Sequence, residues 1–343
     1  MKNYKREVLH NFAVQYLLKK GVTKGNALLI ADSAVETEAM GVHTHGMSVF
    51  PYFEQAIFNI IDPKAEPVVI REKGSTALID GNNGFSQLAL KLASDLAIEK
   101  AKNNGTATII GNNCSWLAAL GTYLYPIVEK GYIAQLWAQT STCVDAAPVG
   151  GIDPKFSTNP IALGFPASFG PSIFDIATTS ISKRKVLQMV EDGELAPEKI
   201  FLDKDGNLSR DPKVVIEGGT ILFLGGDYLG YKGYGLSLFN ESLAAVAGGS
   251  CNNPHSETRQ CFTLIVIDPE AFGGHDYYTK EMERFIGHVK ASRLRPKVSG
   301  IRFPGEHRRE ILEESNVEGV KLNESLVIQL TELAKTYGIE WLD

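Results

Sequence analysis

Cysteine is scarce in this sequence, and its distribution argues against a disulfide framework. Cys114, Cys143, Cys251 and Cys261 are far apart and never form a Cys-x-x-Cys pair. Dispersed cysteines in a chain of 343 residues are typical of reduced thiols in a cytosolic protein. We therefore expect a cytoplasmic protein whose core is large enough to fold without covalent cross-links.

An excess of positive charge and a long apolar run are also missing. The sequence has 34 Lys+Arg against 40 Asp+Glu, a net charge of −6, so no basic excess is left to displace the counterions of a nucleic acid. No stretch approaches the roughly 18 uninterrupted apolar residues of a membrane span. No apolar signal-peptide segment follows Met1–Arg6. We expect neither a nucleic-acid partner nor a membrane partner.

Signature motifs of common cofactor-dependent and hydrolytic enzymes are absent as well. The sequence contains no Gly-x-Gly-x-x-Gly, the usual dinucleotide fingerprint, and no Gly-Lys pair, which a P-loop requires. It also lacks His-Glu-x-x-His and Gly-x-Ser-x-Gly. His43 and His45 have no third ligand nearby in the sequence, so we expect no metal site.

The sequence does contain a regular alternation of strand and helix patterns. Between residues 75 and 140 the apolar periodicity changes repeatedly between that of a strand and that of a helix, which indicates an α/β sheet. Strands are predicted over 75–80, 106–111, 132–140, 172–180 and 261–268, and helices over 4–19, 24–40, 85–103, 117–130, 233–248 and 324–337.

Glycine is concentrated in one segment. Nine of the 33 glycines fall between Gly218 and Gly249, and Lys232-Gly233 lies among them where a helix is predicted to begin. Backbone N–H groups, the helix dipole and an ammonium group at such a position can together hold an anion. The alternative is a flexible loop with a solvated lysine, and the pattern alone does not decide between the two.

A single histidine is placed for proton transfer. His45 lies between Thr44 and Gly46, just before a predicted helix. Histidine is the side chain best suited to exchanging a proton near neutral pH, and a helix N-terminus favours its neutral form. The alternative is that the ring caps the helix.

Taken in order, these segments resemble the malate/L-lactate dehydrogenase family that lacks a Rossmann fingerprint. That family includes ureidoglycolate dehydrogenase, sulfolactate dehydrogenase, diketogulonate reductase and the Δ1-piperideine-2-carboxylate reductases. The resemblance covers nearly the whole chain. It is carried by Ala34–Phe53, Asp80–Ala89, Thr158-Asn159-Pro160, Phe174–Thr179, Lys232-Gly233 and Phe303-Pro304-Gly305-Glu306.

The resemblance implies a mixed α/β fold with a non-Rossmann site for NADH or NADPH and a helical N-terminal region. It also implies a homodimer, with the active site near the subunit contact. The implied regions are residues 1–72, helical and packed with 300–343; 73–145, an α/β substrate and dimer domain; and 146–299, the NAD(P)-binding domain.

The activity implied is hydride transfer between nicotinamide C4 and the 2-carbon of a hydroxy or keto acid, or of a cyclic imine. His45 matches the family's proton donor. Asp175 would lie in the cofactor site, where its carboxylate could orient His45 or a ribose hydroxyl. The residues that match cofactor-binding segments are Thr158, Asn159, Pro160, Ile173, Phe174, Asp175, Ile176, Ala177, Thr178, Lys232, Gly233, Pro304, Gly305 and Glu306.

The departures from the family pattern concern the substrate side. Thr44 replaces a serine, Val49 an arginine that would suit a carboxylate, and Phe53 stands near a usual tyrosine. The family's second histidine falls at Ser115 or Trp116. A pocket lined by Thr44, Val49, Phe53 and Trp116 would favour a larger or less polar small-molecule substrate, with carboxylate binding left to Lys183, Arg184 (a usual glycine) or Lys185.

Three functions follow from the resemblance and its departures. The first is an NAD(P)H-dependent oxidoreductase acting on an atypical 2-keto or 2-hydroxy acid. The second is a reductase of cyclic imine acids, because DGNNGFSQLAL and Thr140–Cys143 look closest to that branch. The third is a paralogue that binds the cofactor without turnover.

Overall fold

The structure is a computed structural model that describes residues 2–253, 255 and 259–340. Its strands are β1 (Lys2–Tyr4), β2 (Val68–Lys73), β3 (Thr76–Asp80), β4 (Thr106–Cys114), β5 (Ile133–Thr140), β6 (Ile161–Ala167), β7 (Gly170–Ile176), β8 (Phe201–Leu202), β9 (Leu208–Ser209), β10 (Thr220–Ile221), β11 (Gln260–Ile267) and β12 (Val320–Leu322). Its helices are α1 (Arg6–Lys19), α2 (Lys24–Ala39), α3 (Val49–Ala56), α4 (Ser86–Asn104), α5 (Tyr125–Val128), α6 (Lys183–Asp192), α7 (Lys213–Ile216), α8 (Gly226–Leu229), α9 (Tyr231–Val246), α10 (His275–Lys290), α11 (Glu306–Glu318) and α12 (Glu324–Tyr337).

A seven-stranded mixed sheet is the centre of the fold, with strand order β2-β3-β4-β11-β5-β6-β7. Only β3 and β4 pair in parallel; every other described pair of this sheet is antiparallel. Strand β11 is central because its apolar run leaves Leu264 and Val266 almost fully buried. A continuous run of this kind is typical of a strand covered on both faces. This sheet confirms the predicted mixed α/β class.

A second core is made of helices. Helices α1, α2, α3 and α12 bury an aromatic cluster in which Phe12, Tyr16, Phe50 and Phe53 meet edge to face or stacked. Edge-to-face rings add about 0.5–1.5 kcal/mol per pair beyond the area they bury. Strand β1 pairs with β12, so the first and last described segments of the chain are joined in this core.

Residues 117–130 and 306–318 are among the parts of the chain that differ from the predicted elements. Residues 117–130 do not form one helix: the chain is irregular to Ala119, makes a short 3₁₀ helix over Leu120–Leu124, and then forms α5. Tertiary hydrogen bonds hold its N–H groups instead, since Leu117 N donates to Gln260 Oε1 at 2.9 Å and Gly121 N to Asp175 at 2.8 Å. Helix α11 is not predicted, because its sequence is dominated by charged residues and only Ser315 is buried.

The predicted domain boundary at residues 145 and 146 falls between β5 and β6, which pair in the same sheet. The division into 1–72, 73–145 and 146–299 therefore does not coincide with a break in the sheet, and it stays a prediction. Within the described part of the chain, none of the helices has the length and apolar composition needed to cross a bilayer.

Candidate active site

A cavity of about 300 Å³ opens beside the ends of β5, β6 and β7. Its wall contains residues from eight separate stretches of the chain, so the fold gathers side chains that are distant in sequence. The predicted site residues in this wall are Thr44, His45, Trp116, Thr158, Pro160, Asp175, Ile176 and Ala177.

The turn that carries His45 is anchored to a buried carboxylate. Glu38, at 1 % exposure, accepts hydrogen bonds from Met47 N and from His43 Nδ1, each at 2.6 Å. Gly46 packs against it, because a Cβ there would lie 2.3 Å from Glu38 Oε2. These contacts fix the position of the turn between α2 and α3. His43 anchors the turn to Glu38, and His45 lines the cavity.

His45 has a defined set of neighbours. Thr44 Oγ1 lies 2.7 Å from His45 Nδ1. The imidazole and the indole of Trp116 have centroids 5.1 Å apart, and the indole in turn meets Tyr52 edge to face at 5.1 Å. A threonine hydroxyl that donates to Nδ1 leaves the proton of the neutral ring on Nε2.

The surroundings of His45 keep its ring neutral. Removal from water is the main reason, and the positive charges of Arg184 and Arg308 add to it; together they lower the pKa of His45 to about 4. At neutral pH the ring is therefore uncharged in the free protein. The only cation in the cavity wall is Arg308, on α11, at least among the residues that the structure describes.

Asp175 lies in the same wall, and among the described residues its carboxylate makes no hydrogen bond to His45. Its carboxylate accepts a hydrogen bond from Gly121 N at 2.8 Å, while Thr44 occupies Nδ1 of the imidazole. Burial raises the pKa of Asp175, and the hydrogen bonds from the backbone of Gly121 and the charge of Arg308 oppose that rise. The carboxylate therefore bonds the start of the 3₁₀ helix at Leu120–Leu124.

The predicted cofactor segment at residues 158–160 is divided between the cavity and the interior. Thr158 and Pro160 line the cavity, whereas Asn159 is fully buried at a φ of 37°. Its amide donates to Ser237 Oγ at 2.9 Å and to Glu241 Oε1 at 2.8 Å. Asn159 thus fixes the loop to α9 and does not face the cavity.

Glu241 is another buried carboxylate, and its hydrogen-bond donors are neutral groups. Besides Asn159, it accepts hydrogen bonds from Gln139 Nε2 at 2.9 Å and from Asn252 N at 2.7 Å. Burial raises its pKa, although these donors oppose the rise. Nothing in the sequence pattern singles out Glu38 or Glu241, since a glutamate inside a helix is most often solvated.

The remaining predicted cofactor residues are placed around the cavity and not in its wall. Lys232 is exposed, and Gly233 packs against the Thr178 carbonyl, where a Cβ would lie 2.4 Å away. Ile173 is buried in the sheet core, and Phe174 is 40 % exposed on the opposite face of β7. The glycine-rich segment therefore serves close packing at Gly233, and the structure does not bring Lys232 to His45.

The segment Pro304–Glu306 leads into α11 and packs against β7. Ser172 Oγ donates a hydrogen bond to Pro304 O at 2.8 Å. Gly305 has a φ of 94°, and a Cβ at this position would lie only 2.8 Å from Pro171 O, so glycine is needed there. Glu306 accepts from Phe303 N at 2.8 Å. These contacts place the first turn of α11, and with it Arg308, at the cavity. In the sequence, the family motif at residues 303–306 is the one feature that points to the position of Arg308.

Val49 and Phe53, predicted to contact substrate, lie in the helical core instead. Their exposures are 1 % and 0 %, and Phe53 meets the rings of Phe50 and Phe85 edge to face. Both are on the inner face of α3, which has no access to the cavity. Of the two positions that replace the family's second histidine, Trp116 lines the cavity, whereas Ser115 is buried against Ser86 at the start of α4.

A second cavity, of about 250 Å³, bears on whether a nicotinamide dinucleotide fits. Its wall includes Gly150, Thr220, Phe223 and Gly226, and the buried Thr220 hydroxyl has no hydrogen-bond partner among the described residues. The two cavities are linked through the chain: Ala177 lines the first, the next residue bonds Leu224 at 2.9 Å, and Phe223 lines the second. The five glycines of this wall let a ligand approach the backbone, and the unpartnered hydroxyl of Thr220 can hydrogen-bond to it. Both features fit a ligand that carries polar groups.

Comparison with known proteins gives a consistent result. The sequence profile of the family described as malate/L-lactate dehydrogenase matches residues 4–331. The chain is 32% identical over 349 residues to a malate dehydrogenase of Pyrococcus horikoshii, covering 98% of this chain and 96% of that protein. It is 31% identical over 325 residues to a Δ1-pyrroline-2-carboxylate/Δ1-piperideine-2-carboxylate reductase of Pseudomonas syringae pv. tomato, covering 92% and 91%.

The same similarity appears in three dimensions. The crystal structure of malate dehydrogenase from Entamoeba histolytica superposes with a TM-score of 0.92 at 26% identity, covering 99% of each chain.

Proposed function

The chain belongs to the malate/L-lactate dehydrogenase family, and from that premise we propose that it is an NAD(P)H-dependent oxidoreductase that transfers hydride to or from a 2-keto or 2-hydroxy acid. The observation that carries this proposal is His45: its ring faces a cavity, Thr44 holds Nδ1 at 2.7 Å, and Arg308 lies in the same wall. The same geometry serves either direction of the reaction.

The cofactor supplies the hydride at C4 of its nicotinamide ring. Thr158, Pro160 and Asp175–Ala177 would hold that ring in the cavity of about 300 Å³. In reduction, the 2-carbon of the substrate gains the hydride and the electron pair of its C=O bond moves to oxygen. His45 then gives that oxygen the proton that completes the hydroxyl group.

The lowered pKa of His45 fits this role. In oxidation, the neutral imidazole takes the hydroxyl proton as the hydride leaves. In reduction, the ring must first take up an additional proton from solvent, which it then gives to the substrate oxygen; an anionic substrate that offsets the positive charge of Arg308 favours that uptake.

Reduction of a cyclic imine acid is the second candidate. It is favoured by the similarity to the Pseudomonas reductase and by the indole of Trp116 in the cavity wall, which suits a ring-shaped substrate. The same residues would act, with the proton given to nitrogen instead of oxygen.

Two finer proposals concern assembly and location. We propose a homodimer, because α9 exposes apolar side chains while its inner face is polar; those exposed are Leu236, Leu238, Phe239 and Val246. Light scattering should give twice the mass of one chain.

We also propose a cytoplasmic location, since all four cysteines are unpaired; cell fractionation tests it.

The test of the activity starts with binding. Enhanced nicotinamide fluorescence on titration with NADH and with NADPH is expected for at least one of them. A panel of 2-keto acids and cyclic imines should then deplete the absorbance of the reduced nicotinamide. No binding of either nucleotide would overturn the proposal; binding without turnover on the whole panel would favour the third candidate, a cofactor-binding paralogue.

A further inference from the structure

A groove of about 970 Å³ lies among helices α1, α2 and α4, and residues 122–130 close its remaining side. Among the described residues, its wall has no member in common with the cavity of His45. Clefts that hold drug-sized molecules have volumes of roughly 300–1,000 Å³. The groove is therefore large enough for a small molecule, and it lies apart from the catalytic residues.

One buried polar atom in this wall has no partner. Gln87, the second residue of α4, is 3 % exposed, and its Oε1 accepts no hydrogen bond from any residue that the structure describes. Buried side-chain oxygens in native proteins nearly always accept a hydrogen bond, and leaving one unpaired costs free energy. A ligand that donates to Oε1 would remove that cost, so the groove favours a molecule with an N–H or O–H group.

The rest of the groove offers a large apolar surface. Its apolar side chains come from α2, from α4 and from the segment that closes the groove; they are Leu29, Val35, Ile98, Tyr123 and Pro126. Burying such a surface against a ligand is favourable by about 25 cal/mol for each Å² removed from water. The body of a ligand that fits here is therefore apolar, and a ring covers such a surface with little loss of conformational freedom.

The charged side chains at the groove balance one another. Arg6 pairs with Glu36, and Lys91 pairs with Asp95. The wall as a whole has three Lys or Arg and four Asp or Glu side chains, so the two signs are present in nearly equal number. Neither an anion nor a cation meets an excess of opposite charge there, and the groove favours a neutral ligand.

The dimer contact proposed above does not account for this groove. That contact is the apolar face of α9, and α9 contributes none of the described residues of the wall. A small molecule is the occupant that the unpaired oxygen, the apolar surface and the balanced charges together favour.

We propose that this groove binds a neutral, ring-containing molecule that donates one hydrogen bond to Gln87 Oε1. The ring covers the apolar side chains of α2 and α4, and its N–H or O–H group meets the buried amide. The site and the class of ligand follow from the groove alone, so they do not depend on the proposed catalytic activity.

The experiment compares the binding of indole and benzofuran by calorimetry. The two molecules have nearly the same size and shape, but benzofuran has an oxygen in place of the N–H group. The wild-type protein is expected to bind indole about 3–10-fold more tightly, the effect of one neutral hydrogen bond. Gln87→Met replaces the amide with a thioether of similar length, so it should bring the two affinities together and leave that of benzofuran largely unchanged.

Two further variants locate the binding. Gln329→Met makes the same replacement at an exposed position of α12, outside the groove, and should keep the preference for indole. Ile98→Trp places a large side chain in the groove and should abolish binding of both molecules. Circular dichroism checks that each variant is folded, and the comparison of the two ligands on the wild-type protein requires no variant.

Several results would overturn the proposal. Equal affinities of the wild-type protein for indole and benzofuran would show that Gln87 does not contribute, and absence of binding would show that there is no site. Binding that survives Ile98→Trp would lie elsewhere. If Ile98→Trp converts a dimer into a monomer in light scattering, a second copy covers the groove instead. None of these measurements uses turnover, so a failure of the proposed activity leaves them unaffected.

Discussion

Two buried glutamates hold opposite sides of the catalytic cavity, and they do so with different partners. Glu38 fixes the turn of His45 through an ionisable side chain, His43, and one backbone N–H. Glu241 fixes the loop of Thr158 and Pro160 through Asn159 and other neutral donors. The comparison teaches that one side of the site depends on a charge pair and the other on a neutral network, so the two sides should respond differently to substitution and to pH.

The largest effect is expected at Gly46, on the Glu38 side. In Gly46→Ala the new Cβ would lie 2.3 Å from Glu38 Oε2 and 2.7 Å from Glu38 Cα, so the turn must move. We expect turnover to fall by about 100-fold or more, since a displacement of about 1 Å at a catalytic group has that effect.

Gly287→Ala is the control for that substitution. Gly287 lies within α10 with no atom within 4 Å of its Cβ position, so alanine should stabilise the helix by about 0.5–1 kcal/mol. Equal activity in the two alanine variants would show that the Glu38 anchor does not position His45.

Isosteric amides at the two glutamates should separate kcat from KM. Glu38→Gln removes the charge that His43 binds and should lower the unfolding free energy by about 1.5–3 kcal/mol, with a fall in kcat because His45 moves. Glu241→Gln turns an amide N–H₂ toward one of its donors and should cost about 1–3 kcal/mol, mainly raising the KM of the nicotinamide cofactor. Denaturation and initial rates measure both; identical kinetic effects would erase the distinction between the two sides.

The sequence predicts most strands of the large sheet and the helices near both ends of the chain, because their apolar periodicity is strong, whereas strands β1, β2 and β12 are not predicted. Helix α12 begins and ends where it is predicted, and His45, Thr44 and Trp116 line one cavity as the family string suggests. Arg308 is different: α11 buries only Ser315, so no periodicity marks the helix that carries it.

Tertiary contacts explain the other differences. Val49 and Phe53 follow the catalytic turn in sequence, but α3 turns them into the aromatic core. Segment 117–121 has a helical composition, yet Gln260 and Asp175 bind its N–H groups from other strands. Partners more than 50 residues away in the sequence cannot be read from a local pattern.

The smallest expected effect is a difference in the pH dependence of stability. The hydrogen bond to Glu38 raises the pKa of His43 above 6.5. The contribution of this pair to the unfolding free energy is therefore complete below pH 6.5 and is lost as pH rises through the pKa of His43 in the folded state. Burial raises the pKa of Glu241 above 4.5, so its contribution is complete below pH 4.5 and is lost as pH rises from there through the pKa of the folded state. His43→Gln should remove the loss of unfolding free energy that begins near pH 6.5, and Glu241→Gln the loss that begins near pH 4.5; the same pH profile in both variants would contradict the comparison.

The central claim, that His45 transfers the proton in the cavity that these two sides enclose, is tested most directly by the kcat of His45→Ala measured beside its affinity for the nicotinamide cofactor. The account predicts a fall in kcat of about 10²–10⁴-fold with cofactor fluorescence titrations unchanged, and no change in His288→Ala, whose ring is exposed on α10. An unchanged kcat in His45→Ala would contradict the account.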